Sequence, residues 1–239
     1  MKYILVLFIG LGLIYSCRFI GGKKVRGNGN VETEQRSLPS FDGLTSFGAF
    51  DIIVKTGDKH SAVIEADENL MQYVITEVDG DKLKISTRKG YNLRPTSSLK
   101  VIVTAPHYNE LSSHGSGNIQ GEDLITSPDP VKLHLTGSGN IKVDMNAPSV
   151  NAQIAGSGNI TVSGSSKEFS SSIHGSGDIR AGNLKAEDGD VEIAGSGNVE
   201  VYASNKLKVN IMGSGGVKYR GDAQINTNIA GSGSVTKVN

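Results

Sequence analysis

Val150-Asn-Ala-Gln-Ile-Ala-Gly-Ser-Gly-Asn-Ile-Thr-Val162 decides the fold of this chain. Its first half alternates apolar and polar residues, so Val150, Ala152 and Ile154 share one face of a strand while Asn151 and Gln153 share the other. Gly156-Ser-Gly158 interrupts the alternation and Asn159-Ile-Thr-Val162 resumes it. The phrase is written seven times, with its paired glycines at Gly115 and Gly117, Gly137 and Gly139, Gly156 and Gly158, Gly175 and Gly177, Gly195 and Gly197, Gly213 and Gly215, and Gly231 and Gly233. Successive steps of 22, 19, 19, 20, 18 and 18 residues give a period near 19. Period-2 alternation inside such a repeat is the signature of a solenoid whose rungs are strands.

The expected architecture is therefore an all-β, parallel β-solenoid with Gly-Ser-Gly corners, right-handed because parallel crossovers are overwhelmingly so. No rung can bury its apolar row alone, but rungs stacked about 4.8 Å apart cover one another and pair their backbones. Glycine is required at the corners to reach positive φ and to let stacked backbones approach closely. The residue after each corner, Asn118, Asn140, Asn159, Asp178 or Asn198, falls in one column where amides can bond along the stack. A short strand such as Ile160-Thr-Val162 follows each corner, and then a turn of varying length, the expected exposed loop. Two strands per rung are clear and there is room for a third.

Residues 37–110 are less regular and read as the start or cap of the same stack, making 37–239 one domain. Strands are expected around Phe41–Leu44, Ala49–Val54, Ala62–Ile64, Leu83–Ser86 and Leu99–Thr104, with Asp67 capping a short helix that carries Leu70, Met71 and Val74.

The chain opens Met1-Lys2 and runs apolar from Tyr3 to Tyr15, too short for an ordinary membrane span but fitting a secretory signal over 1–16. It ends at Ser16-Cys17, and Cys17 is the only cysteine. This segment resembles the lipobox of bacterial lipoproteins, which implies lipidation at Cys17 and a membrane partner reached through that anchor. Arg18 follows, where an aspartate would resemble an inner-membrane retention signal, so an outer-membrane lipoprotein of the cell envelope is expected. Glycine- and lysine-rich residues 17–36 read as a flexible tether.

Lys+Arg and Asp+Glu are equal at 24 each, which argues against nucleic acid as a partner. There is no tryptophan to stack on sugars, no nucleophile elbow and no phosphate loop. His60, His107, His114, His134 and His174 form no close-spaced ligand pair, so neither metal nor cofactor is expected. Glu187, Asp188 and Asp190 form an acidic turn, read as a solvated loop.

The lipoprotein start, Phe41-Asp-Gly-Leu44, Phe50-Asp-Ile-Ile-Val54 and the repeated Gly-Ser-Gly-Asn-Ile together resemble the bacterial auto-transporter adhesin head (GIN) domain family of unknown function, over about residues 38–235. The resemblance implies a β-solenoid outside the cytoplasmic membrane and carries no catalytic residues. Gly216 and Ser234 depart from the Asn column in the last two rungs.

The leading expectation is a non-enzymatic adhesin or binding scaffold with a glycan or protein ligand. Its outward polar strip would run through Lys132 and His134, Asn151 and Gln153, Ser170 and Ser172, Lys208 and Asn210, and Asn226 and Asn228. The alternatives are a polysaccharide-acting β-helix enzyme, which needs charged groups converging across adjacent rungs, and an envelope scaffold or stress protein with no external ligand.

Overall fold

A computed structural model of the chain describes residues 22–238; Cys17 and the signal segment lie outside them. The first strands are β1 (Lys23–Arg26), β2 (Val31–Ser37), β3 (Gly43–Gly48), β4 (Asp51–Thr56) and β5 (Ser61–Asp67). The single helical turn α1 (Glu68–Met71) precedes β6 (Val74–Asp79), β7 (Lys82–Thr87), β8 (Tyr91–Arg94) and β9 (Lys100–Ala105). The repeats supply β10 (Glu110–Gly115), β11 (Asn118–Thr126), β12 (Val131–Gly137), β13 (Asn140–Gly156), β14 (Asn159–Gly175) and β15 (Asp178–Gly195). They end with β16 (Asn198–Tyr202), β17 (Lys206–Gly213), β18 (Gly216–Arg220), β19 (Gln224–Gly231) and β20 (Ser234–Lys237).

These strands form a parallel β-solenoid of about 6 turns, with rungs about 20 residues apart. The pre-corner segments stack in parallel from β3 through β10, β12, β13, β14, β15 and β17 to β19. The post-corner segments stack from β4 through β11, β13, β14, β15, β16 and β18 to β20. A third paired segment exists in the middle rungs, where Leu124–Thr126 faces Asp144–Asn146 and Ser163–Ser166 faces Asn183–Ala186. The long first step of the repeat is absorbed at Gly121–Asp123, where the register of β11 against β13 shifts.

Alternation translates directly into burial. Leu133, Leu135, Ala152, Ile154, Ile173, Val191, Ile193, Val209 and Ile211 from one wall meet Ile141, Val143, Ile160, Val162, Ile179, Val199 and Val201 from the other, all at 2% exposure or less. Each full burial of such a side chain contributes about 1.5–3 kcal/mol.

Each corner uses its two glycines differently. Gly156 has φ of +137°, a conformation that side chains rarely adopt. Gly158 has no such torsion; it is confined by space, since a Cβ there would lie 2.7 Å from Leu135 Cδ2 and against the carbonyl of Gly139 one rung earlier. The stack also has an eighth corner, at Gly48, where β3 and β4 align Gly48 with Gly115 and Asp51 with Asn118. Phe50 stands where the later corners have their second glycine. The layer beneath it is cap, with Asp51 N–H donating to Leu99 O, so its ring packs inward at 2% exposure.

One end of the solenoid is closed. β9 pairs with β4 and antiparallel with β5, and β6 and β7 form a hairpin through Gly80-Asp81. Leu70 and Met71 of α1 are buried against this cap. Tyr108 is fully buried, and its hydroxyl shares its one proton between the carbonyl oxygens of Lys55 and Val103, each 3.0 Å away.

Two expectations need correction. The flexible tether over 17–36 is contradicted where it is described: β1 pairs with β8, and β2 pairs antiparallel with β5 from Val31 to Ser37. These are polar edge strands, and Arg36 anchors its own by donating to Val74 O and Thr76 Oγ1. Second, Asp67 sits at the N-cap of α1 but makes no side-chain cap. Its buried carboxylate instead accepts from Thr96 Oγ1 at 2.6 Å, Thr96 N at 2.9 Å and Gly29 N at 2.7 Å, which hold its pKa below the usual carboxylate range. Val74, expected on the helix, begins β6.

Candidate functional site

Because the core takes every second residue of the pre-corner strands, the remaining residues form three columns along the outside of the stack. The first runs Glu110, Lys132, Asn151, Ser170, Asp190, Lys208, Asn226. The second runs Ser112, His134, Gln153, Ser172, Glu192, Asn210, Asn228, and the third His114, Thr136, Ala155, His174, Ala194, Met212, Ala230. The six residues singled out from sequence (Lys132, His134, Asn151, Gln153, Lys208 and Asn210) thus lie in two adjacent columns of one face. Lys132, Gln153 and Lys208 are exposed, whereas His134, Asn151 and Asn210 are partly covered by neighbouring rungs.

Some polar groups of the face satisfy one another. Asn151 Nδ2 donates to Ser170 Oγ at 2.6 Å, Lys208 Nζ lies 3.3 Å from Asp190 Oδ2, and Lys82 Nζ donates to Glu110 Oε2 at 2.7 Å. The Glu110 contact raises the Lys82 pKa. Half-buried His134 is pushed down, chiefly by desolvation, with the Glu110 charge opposing and Lys132, His114 and Lys82 assisting. The third column adds an apolar edge: Phe47 stacks on His114 with ring centroids 5.1 Å apart, and Met212 is 65% exposed. Between His174 and Met212 the small Ala194 leaves a shallow concavity of about 270 Å³, also lined by Ser172, Glu192, Asn210 and Asn228. Such an arrangement offers hydrogen-bond donors and acceptors at strand spacing beside an apolar rim. It suits an extended ligand better than a water-excluding reaction.

The post-corner face was singled out from sequence only for its Asn column, not as a binding face. Its first column is an amide ladder: Asn118 Nδ2 donates to Asp51 Oδ1 at 2.8 Å, Asn140 to Asn118 at 2.9 Å and Asn159 to Asn140 at 3.0 Å. Two residues further on, Arg180, Glu200 and Lys218 stand in register. With Asp178, Asn198, Gly216 and Ser234 they line an open cavity of about 340 Å³. The loss of Asn at Gly216 leaves room there. The signal was present in the alternation of Asn198-Val-Glu-Val201 but was outshone by the longer pre-corner strands.

Glu187, Asp188 and Asp190, expected in a solvated loop, lie instead within β15, where the next rung meets two of them: Asn205 Nδ2 donates to Asp188 Oδ1 at 2.7 Å, and Lys208 Nζ lies 3.3 Å from Asp190 Oδ2. His114 and His174 share a column three rungs apart. Among the described residues, no group of three His, Cys, Asp or Glu side chains is placed to hold a metal ion. Among them also, no helix is long and apolar enough to cross a membrane.

A family model described as "Putative auto-transporter adhesin, head GIN domain" matches residues 40–223. A "putative adhesin" from Bacteroides fragilis superposes with a TM-score of 0.85 at 22% identity, covering 90% of this chain and 100% of its own. A "putative lipid binding protein" from Parabacteroides distasonis is 31% identical, with a TM-score of 0.76 and coverage of 91% and 100%. A "putative adhesin" from Parabacteroides merdae gives 0.74 at 23% identity, with coverage of 91% and 100%. No curated relative matches the chain.

Proposed function

The chain belongs to the auto-transporter adhesin head GIN domain family, and from that premise we propose that it is a non-enzymatic, lipid-anchored cell-envelope protein that binds an extended ligand along its pre-corner face. One observation carries the reading. The polar columns around Lys132, Gln153 and Lys208 run unbroken across the rungs beside an apolar rim, and the concavity between His174 and Met212 is open. A repeating glycan or an extended polypeptide presents groups at a similar cadence, and many modest contacts then add. The anchor is Cys17 and the location the outer membrane, both resting on the signal-like opening of the chain. No nucleic acid is expected as a partner, because the charges balance.

The experiment is a screen of residues 22–239 against a glycan array, envelope and matrix proteins, and lipid vesicles, with turnover assayed on each binding polysaccharide. The fragment starts at residue 22 because β1 and β2 belong to the folded unit. Vesicles are included because the Parabacteroides distasonis relative bears a lipid-binding name. Saturable binding without turnover supports the proposal; cleavage of a polysaccharide contradicts it.

The polysaccharide-acting reading has one observation in its favour. It asked for charged groups converging across adjacent rungs, and Arg180, Glu200 and Lys218 do so around the post-corner cavity. Neighbouring Asp178, however, is engaged by Arg180 Nη2 at 3.1 Å and Asn198 Nδ2 at 3.0 Å. Glu200→Gln abolishing turnover in the same screen would support this second reading.

A further inference from the structure

Among the described residues, the solenoid is capped at one end only. At the other, all eight residues of β19 are exposed, and among the described residues it pairs with β17 alone. Ile225 and Ile229 are 40% and 41% exposed, while Leu207 and Ile211, their register partners one rung earlier, are at 1%. Among the described residues, no further layer covers this end. Exposed edge strands are ordinarily guarded by charges, bulges or proline. Here the guard is missing: Gln224 to Thr236 contains no charged residue, whereas 206–220 carries Lys206, Lys208, Lys218 and Arg220.

The composition of the edge says what fits it. Ile225-Asn-Thr-Asn-Ile229 reads the same in both directions. An antiparallel copy centred on Thr227 places Ile225 opposite the second copy's Ile229 and Asn226 opposite its Asn228. A two-fold axis lying in the end plane and perpendicular to β19 keeps both inward rows on the core side, so the two apolar cores become continuous. β19 carries no charge, and Lys237 of β20 is met by Asp222 of its own copy at 3.0 Å, so no unpaired like charges oppose the meeting. Paired over eight residues, the two edges would run about 26 Å alongside one another. We propose that two copies of this chain join end to end through β19 and β20, β19 pairing antiparallel with its counterpart about Thr227. The cap blocks the opposite end, so the contact is isologous and closes at a dimer instead of growing a filament.

The test is thiol cross-linking of the full chain in isolated envelopes under mild oxidation. Thr227→Cys is expected to give a disulfide-linked dimer, because opposed residues of an antiparallel pair lie within disulfide reach. Peptide mapping should join position 227 of one copy to position 227 of the other, whatever the state of Cys17. Thr161→Cys, in the middle of the rod, should give at least tenfold less dimer. Adding Ile229→Lys to Thr227→Cys should reduce the product at least tenfold; circular dichroism checks that the fold is retained. Sedimentation of the otherwise unaltered chain and of Ile229→Lys gives a second reading that needs no thiol. Equal cross-linking at 227 and 161, or linkage of position 227 to another polypeptide, overturns the proposal.

Discussion

Asn159 donates from its Nδ2 to Oδ1 of Asn140 at 3.0 Å, nineteen residues earlier, and so passes along a ladder that ends on Asp51. The ladder has a direction, since every amide donates toward the capped end. Asp51 terminates it correctly because a carboxylate need only accept. Asp178, the next rung, interrupts it: its carboxylate accepts from Asn198 but has no proton to offer Asn159.

Joining the two halves is expected to stabilise the protein. In an Arg180→Ala background, where the ion pair with Asp178 is already gone, Asp178→Asn keeps the oxygen that accepts from Asn198 and adds a donor for Asn159, for a gain of about 0.5–1 kcal/mol. Asn140→Asp removes one donor from the ladder and should cost about 1 kcal/mol. Urea denaturation of each variant beside its own parent checks both signs.

The corner and the loop should respond very differently to substitution. Gly158→Val drives a side chain into Leu135 and the Gly139 backbone and should destabilise by more than about 1 kcal/mol. Gly156→Ala should exceed the same figure through its torsion as well as its close contact with the Gly137 backbone. Lys167→Glu, exposed within β14 and outside its register pairs with β13 and β15, should stay within about 0.5 kcal/mol. Equal losses at Gly158 and Lys167 would contradict the assignment.

Two groups give stability a pH dependence of the same sign at different pH. Hydrogen bonds from Thr96 and Gly29 lower the pKa of Asp67, so its contribution is present above the unfolded value of about 3.9 and lost as pH falls through the folded one. Burial lowers His134, so its contribution is present above about pH 6.5 and is lost as pH falls toward its depressed folded value. His134→Gln should therefore flatten the stability profile just below pH 6.5, and Asp67→Asn should flatten it below about pH 4. Denaturation midpoints across pH 3–8 read both; profiles parallel to the parent's would contradict these roles.

Lipidation is expected to depend on Cys17, which lies outside the described residues. Cys17→Ala should leave an unprocessed or soluble envelope form. Retention in the membrane fraction after a high-salt wash would contradict the lipobox reading.

The solenoid was legible because its requirements repeat: stacked backbones demand glycine in the same two places, and a two-walled core demands alternation. What escaped was local. Gly48-Ala-Phe50-Asp51 is a corner without the second glycine, because Phe50 lies over the cap and no carbonyl of an earlier corner crowds it. β1 and β2 were concealed by Lys23-Lys-Val-Arg26 and Val31-Glu-Thr-Glu-Gln-Arg-Ser37, polar on both sides because they lie along the outside of the cap. The helix start at Asp67 was read from its residue type, but the carboxylate finds better donors far away in sequence at Thr96 and Gly29. The pre-corner columns could be written down in advance; the Arg180, Glu200 and Lys218 column needed the register of short strands whose length the sequence left open.

The central claim is that binding is spread along one face of the stack. For whichever probe of the glycan, protein and lipid screen binds, the affinities of Lys132→Ala, Gln153→Ala and Lys208→Ala measure it most directly, each side chain being exposed and on a different rung. Losses of about 2- to 10-fold at each position, corresponding to about 0.4–1.4 kcal/mol, are the predicted result. Unchanged affinity at all three would place the ligand elsewhere, and a single substitution that abolishes turnover with fold and binding intact would make the protein an enzyme.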